Sequence, residues 1–206
     1  MTERGRFISL EGGEGVGKST QLRALAGALR ERGLTVVETR EPGGSEGAES
    51  IRGLLLGERD WPMEAEALLF AAARADHVEK TIRPALDRGD WVLSDRFVDS
   101  SLAYQGGAGG LGIERVRDLH AFATDNFLPD RTLILLLAEG AQRAHSRDGD
   151  KGDRIGGRGA DFHHRVELAF RMIAAEEPDR VKLVDASGPE AEVTGRLLGA
   201  IADLLA

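Results

Sequence analysis

"EGGEGVGKSTQ", residues 11–21, packs four glycines, a lysine and two hydroxyl residues between an apolar run and a helical one. Ordering glycines costs conformational entropy, so a cluster lodged between two ordered elements implies a backbone shaped for a ligand. Residues 12–19 fit the pattern G-x-x-x-x-G-K-[ST]. In that pattern backbone N–H groups converge on phosphate oxygens, and the helix that follows adds the positive end of its dipole. Gly12, Gly13, Glu14, Gly15, Val16, Gly17, Lys18, Ser19 and Thr20 therefore form the expected binding loop for a nucleoside triphosphate. Lys18 reaches the β- and γ-phosphates, and the Ser19 hydroxyl joins a Mg²⁺ shell.

The flanks of the loop support that reading. "RFISLEG", residues 6–12, reads as a buried strand, and residues 18–32 as a helix with Leu22, Leu25 and Leu29 on one face. Gly33 ends this helix, and residues 34–39, 91–95, 132–138 and 181–186 read as further strands. Their near-continuous Val/Ile/Leu content belongs to a parallel sheet covered on both faces. Helical patterns lie between them at residues 63–88, 113–126, 162–176 and 189–205. The expected fold is α/β, a three-layer sandwich with a five-stranded parallel sheet and ligands at the carboxyl ends of its strands. The whole chain, 1–206, reads as one domain of the P-loop NTPase type.

Composition narrows the class. A net charge of −8 argues against a general nucleic-acid or membrane surface. The absence of cysteine removes disulfides, thiol catalysis and thiolate metal sites. The N-terminus lacks a signal-peptide core, and no apolar run approaches ~20 residues, so a cytoplasmic protein is expected. The histidines His145, His163 and His164 show no convergent ligand pattern and read as solvated.

Further motifs gather around the loop. In "VLSDRF" (92–97), Asp95 at a strand end can hold Mg²⁺ directly or through water, and Arg96 can fork onto a second phosphate. "LLFAAARADHV" (68–78) sets Phe70 and Arg74 four apart on one helix face, where a ring can stack on a base. "TREPGG" (39–44) reads as a turn with an exposed Arg–Glu pair. "SSLAYQGG" (100–107) offers Ser101, Tyr104 and Gln105 to a base edge. Residues 144–160, "AHSRDGDKGDRIGGRGA", have no apolar period. By composition they read as a surface loop, and more sharply as an arginine-bearing lid over an anion.

These motifs together resemble the bacterial thymidylate kinases, nucleoside monophosphate kinases of the P-loop class. The likeness runs almost end to end, through the loop with its internal acid, "REPGG", "LLFAAAR", "DRF" with "AYQGG" close behind, "DRI" in the lid, and "VDAS". The resemblance implies that Glu14 reaches the 3′-OH of the acceptor deoxyribose, Phe70 stacks on thymine, and Arg74 lies close to base and phosphate. It implies that Arg96 holds the dTMP phosphate, Ser101 and Gln105 line the base site, and Tyr104 crowds the 2′ position. Asp95 and Ser19 would serve Mg²⁺, and residues 185–187 would flank the adenine of ATP. In the family that this chain resembles, the transition-state arginine lies either in the loop or in the lid, and with no arginine in residues 13–16 the resemblance implies that the lid supplies it. Arg154 comes first for that role, with Arg147 and Arg158 behind it. A homodimer is implied as well. Two residues depart from the family pattern. Gly156 stands where relatives commonly carry a glutamate, and Phe97 stands where Tyr or His is more frequent.

The expected reaction is in-line transfer of the γ-phosphoryl of MgATP to dTMP, giving ADP and dTDP for dTTP biosynthesis. The acceptor is an ionised phosphate, so catalysis consists of positioning and charge neutralisation, carried by Lys18, Mg²⁺, Arg96 and lid arginines. A GTPase switch would need an N-K-x-D element, which the chain lacks. A binding ATPase would leave the base-site cluster and the lid without a role. Another monophosphate kinase or a deoxynucleoside kinase is the nearest competitor, separated by dependence on an acceptor phosphate.

Overall fold

A computed structural model describes residues 4–137 and 155–205. Five parallel strands make one sheet in the order β2-β3-β1-β4-β5: β1 (Phe7–Gly12), β2 (Val36–Arg40), β3 (Trp91–Asp95), β4 (Arg131–Leu136) and β5 (Val181–Asp185). Every residue of the central strand β1 is buried, as expected of a strand with helices on both faces. Its side chains alternate between two cores. Ile8 and Leu10 meet the leucines of α1 (Lys18–Arg30) and Leu197 of α8 (Glu190–Ala200). Phe7 points to the other face, where Phe97, Val166 of α7 (Ala160–Glu176) and Val116 of α6 (Ile113–Thr124) pack. The three layers expected from the apolar runs are therefore present.

The observed strands lie within two residues of the expected ones over the described part. Three helical segments differ. Residues 63–88 are helical throughout, but α3 (Met63–His77) passes through a π-helical turn (Val78–Ile82) into α4 (Arg83–Asp87). Pro84 lies just beyond that turn. Its ring and missing N–H conflict with regular i→i−4 bonding, and the wider turn absorbs the conflict. The second difference is α2 (Glu46–Leu56), which periodicity alone did not mark. It is capped by Ser45, whose hydroxyl accepts from Ala48 N–H at 3.4 Å. The third is a helical segment of α5 (Val98–Ser101) running into a π-helical stretch (Leu102–Ala108), which holds the "SSLAYQGG" cluster against α7.

Parallel strands present their carboxyl ends together. Gly12, Arg40 and Asp95 end β1, β2 and β3, side by side at one rim of the sheet. A cleft opens there, between the loop after β1 and the helices after β2 and β3.

Candidate active site

The loop after β1 is built by close approach. Gly12 has φ 133°, and a Cβ on it would lie 2.4 Å from the Leu135 carbonyl oxygen, so only glycine lets β1 end this near β4. Gly17 precedes α1 in a left-handed conformation and provides no side-chain cap, leaving first-turn N–H groups available to an anion. Lys18 folds back across the loop, donating to the carbonyls of Gly13 at 2.6 Å and Gly12 at 3.2 Å. Burial, reinforced by the charge of Arg96, brings its ammonium down to about 7. Ser19 donates to Asp95 Oδ2 at 2.7 Å, which joins the hydroxyl and the carboxylate expected to serve a metal. Two hard oxygen donors beside a phosphate site suit Mg²⁺, which takes few protein ligands and keeps substrate and water oxygens. Among the described residues no group of three or more His, Asp or Glu side chains could hold an ion by itself. Thr20 and Glu14 are exposed on the same loop.

Arg96 is positioned with unusual firmness. Its backbone has φ 74°, a conformation that favours glycine, and its N–H donates to Leu10 O at 2.9 Å. The guanidinium donates to Gly12 O at 3.1 Å and Ser100 Oγ at 3.0 Å, and lies 5.2 Å from the Tyr104 ring centre. Burial works against its charge, yet Tyr104, Glu11 and Asp95 together hold its pKa above the usual value. Glu11, fully buried, accepts from Phe97 N–H at 2.7 Å and Ser100 Oγ at 2.5 Å. Burial first, and then the nearby Asp99 carboxylate, push Glu11 up to about 8. This support was missed from sequence, although an acid in an otherwise apolar strand was the available signal.

The far end of the cleft carries the base-site residues. Phe70, Ser101, Tyr104 and Gln105 all line it. Tyr104 is wedged edge-on against Phe162 and Phe170, which fixes its ring. Arg74 lies one layer back, 2% exposed, donating to Ser101 Oγ at 3.0 Å, Phe97 O at 3.1 Å and Glu41 at 2.8 Å. The expected exposed Arg–Glu pair of "TREPGG" does not exist. Glu41 turns inward to Arg74 and His77, while Arg40 pairs with Glu49 of α2 at 2.9 Å. Adjacent residues at the end of an extended strand point to opposite sides, so Arg40 and Glu41 could not pair. Although burial opposes it, Arg74 and His77 hold Glu41 below the usual carboxylate range. Arg40 and Arg52 also line the cleft, Arg52 pinned by its bond to Pro42 O at 2.6 Å. Neither was anticipated.

Of the lid, Arg147 and Arg154 lie outside the described residues, as does His145. Arg158 is placed at the base end, donating to Glu66 Oε2 at 2.7 Å with its guanidinium 4.7 Å from the Phe162 ring centre. Glu66, which sequence reasoning did not single out, is 0% exposed and also accepts from Gln105 Nε2 at 2.9 Å. The stripe Glu66–Phe70–Arg74, spaced by four, was the signal for it. At Gly156 a Cβ would fall 1.9 Å from a carboxylate oxygen of the exposed Glu14 side chain, which would have to swing aside to admit a larger residue. Phe97 is wholly buried, edge-on to Phe7 and His120, so the core accepts a phenyl without a polar tip. His163 is tied to Gly156 O at 2.9 Å and is thus more than a solvated side chain. On the donor side, Arg196 donates to Asp185 O at 2.8 Å and Ser187 O at 2.6 Å, shaping the turn after β5.

A family model described as thymidylate kinase matches residues 10–196, from the end of β1 into α8, taking in the loop and both walls of the cleft. The chain belongs to the thymidylate kinase family. Its relatives cover it nearly end to end. A protein named thymidylate kinase from Rhizorhabdus wittichii is 60% identical over 205 residues, 98% of this chain and 99% of that one. One from Bacillus pumilus is 43% identical, over 98% of this chain and 97% of its own. The crystal structure of a thymidylate kinase from Ehrlichia chaffeensis superposes with a TM-score of 0.79 at 31% identity, covering 97% and 99% of the two chains.

Proposed function

We propose that the protein transfers the γ-phosphoryl of MgATP to the 5′-phosphate of dTMP, giving ADP and dTDP. The carrying observation is a single cleft that joins a phosphate-binding loop to an aromatic-walled, amide-bearing end. The junction holds Arg96, Asp95 and Ser19. An acceptor whose base lies between Phe70 and Gln105 would reach Arg96 with its phosphate. Lys18 and the first-turn N–H groups of α1 bind the donor phosphates. Arg96 orients the acceptor oxygens and shields them from repulsion by the incoming group. Arg154 is the lid arginine this reading assigns to the transferring phosphoryl, since Arg158 is engaged by Glu66. Ser19 and Asp95 would hold Mg²⁺, which when bound neutralises developing charge on the phosphates. Glu14, exposed at the cleft, is suited to a sugar hydroxyl. Work in the cytoplasm agrees with a chain in which, among the described residues, no helix is long and apolar enough to cross a membrane. A homodimer is supported by exposed apolar side chains on α2, α3 and α6: Leu54, Leu68 and Phe122.

The test is ADP release from MgATP with each nucleoside monophosphate and with thymidine. Turnover confined largely to dTMP is expected. Equal turnover with thymidine would move the acceptor to a hydroxyl, and hydrolysis indifferent to every acceptor would remove the kinase reading.

A further inference from the structure

Gln105 lines the cleft with 1% of its surface exposed. A glutamine amide has one branch that donates and one that accepts, and a half-turn exchanges them with almost no change of shape. What stands behind the amide therefore decides which branch the cleft receives. Here it is Glu66, fully buried on α3, with one carboxylate oxygen 2.7 Å from Arg158 and the other 2.9 Å from Gln105 Nε2. A carboxylate held in an ion pair offers only acceptors. It accepts from the NH₂ branch and repels the carbonyl branch. The amide oxygen is thus turned away from Glu66, and it is the branch left for an occupant of the cleft.

We infer that Glu66 is a specificity-determining positioning residue: by fixing the Gln105 amide, it makes the site select a base that presents a ring N–H donor. The inference rests on the reading of the cleft as a pyrimidine monophosphate site. Thymine and uracil carry a proton on N3, whereas cytosine presents a lone pair there. Cytosine would set acceptor against acceptor in a buried place, and the Gln105 amide could not turn to relieve this without losing its bond to Glu66. Arg158 has a defined part in this arrangement. It balances the buried charge that would otherwise be too costly to keep in place. Glu66 touches neither base nor phosphate; it acts through Gln105.

The experiment compares kcat/KM for dTMP, dUMP and dCMP in the wild type, Glu66→Gln, Gln105→Leu and the double variant. Substitution by glutamine keeps the shape of Glu66 but lets the pair of amides turn over. Wild type is expected to prefer dUMP over dCMP by about 100-fold, the size of an unpaired buried acceptor. In Glu66→Gln that ratio should fall about tenfold, with kcat for dTMP less affected than KM. On the Gln105→Leu background the same change should alter the ratio less than about twofold, since the group it acts through is gone. A merely structural role would weaken every acceptor alike and leave the ratio where it was. An unchanged ratio in folded Glu66→Gln, or an equal drop on the Gln105→Leu background, overturns the inference. Should Glu66→Gln not fold, wild-type turnover of N3-methyl-dUMP decides: rejection comparable to that of dCMP supports the inference, and turnover matching dUMP overturns it. Wild type that handles dUMP and dCMP equally sinks this inference alone. Wild type that phosphorylates no pyrimidine monophosphate sinks the proposed reaction with it.

Discussion

Lys18 shows how a single residue links burial to ligand charge. The residue is 8% exposed, its ammonium faces two carbonyls and has Arg96 nearby, and burial has brought its pKa down to about 7. A phosphate arriving at the loop supplies the opposite charge that burial removed, and restores the ordinary affinity for a proton. The sign follows. Above pH 7 the free site is largely neutral, so nucleotide binding must take up a proton. At pH 8 the uptake should approach about 0.9 proton per site. Titration calorimetry in buffers of differing ionisation enthalpy measures it, and Lys18→Met should abolish it; uptake near zero in the wild type would mean that the ammonium stays charged throughout. Lys18, Ser19 and Arg96 were legible because their roles depend on spacing within one turn or one strand end. Glu41 and Glu66 were not. Their partners Arg74 and Gln105 lie 33 and 39 residues away; Glu41, just past β2, carries no local sign of burial, and the helix face that Glu66 shares with Phe70 and Arg74 marks its position without naming its partner.

At the scale of elements, the strands were legible because burial on both faces leaves a run of Val, Ile and Leu with few alternatives. Helix α2 was hidden by its own composition. Gly47 and Gly53 dilute a pattern in which Ala48 and Leu55 are the buried positions. What fixes this helix is its start. Ser45 caps it and also donates to Asp76 Oδ2 of α3 at 2.6 Å, binding the two helices that wall the cleft. Ser45→Ala should lower stability by about 1 kcal/mol, the usual cost of a lost N-cap, read from urea denaturation. Because α2 carries Glu49 and Arg52, which hold Arg40 and Pro42 at the cleft, KM for dTMP should rise more than kcat falls. The reverse pattern, with kcat lost and KM unmoved, would show that α2 governs the transfer step rather than acceptor binding. The π-helical stretch over residues 102–108 belongs with α2. Its register depends on packing against α7, a contact no local pattern carries.

The whole molecule poses a problem of charge. Each chain carries a net charge of −8, so two copies repel at long range, and any association must be driven by apolar contact. Two of the most exposed apolar side chains lie on neighbouring helices. Leu68 of α3 is 57% exposed beside a shallow groove walled by Leu111, Val116 and Leu119, and α6 exposes Phe122 at 90%. Helices α3 and α6 pack together, and neither Leu68 nor Phe122 lines the cleft. A stable interface buries about 1,600 Å², with its energy concentrated in a few central apolar or aromatic anchors. Light scattering should therefore give the mass of two chains for the wild type and of one chain for Leu68→Glu combined with Phe122→Glu. Association should also strengthen with added salt, because screening removes the repulsion while leaving the apolar term intact. Dissociation on adding salt would instead mean that ion pairs hold the copies together. Neither substitution touches the cleft, yet α3 also carries Glu66, Phe70 and Arg74 on its inner side. If the monomeric variant binds dTMP less tightly while its thermal transition is unchanged, the partner's role is to hold α3 in place for the base.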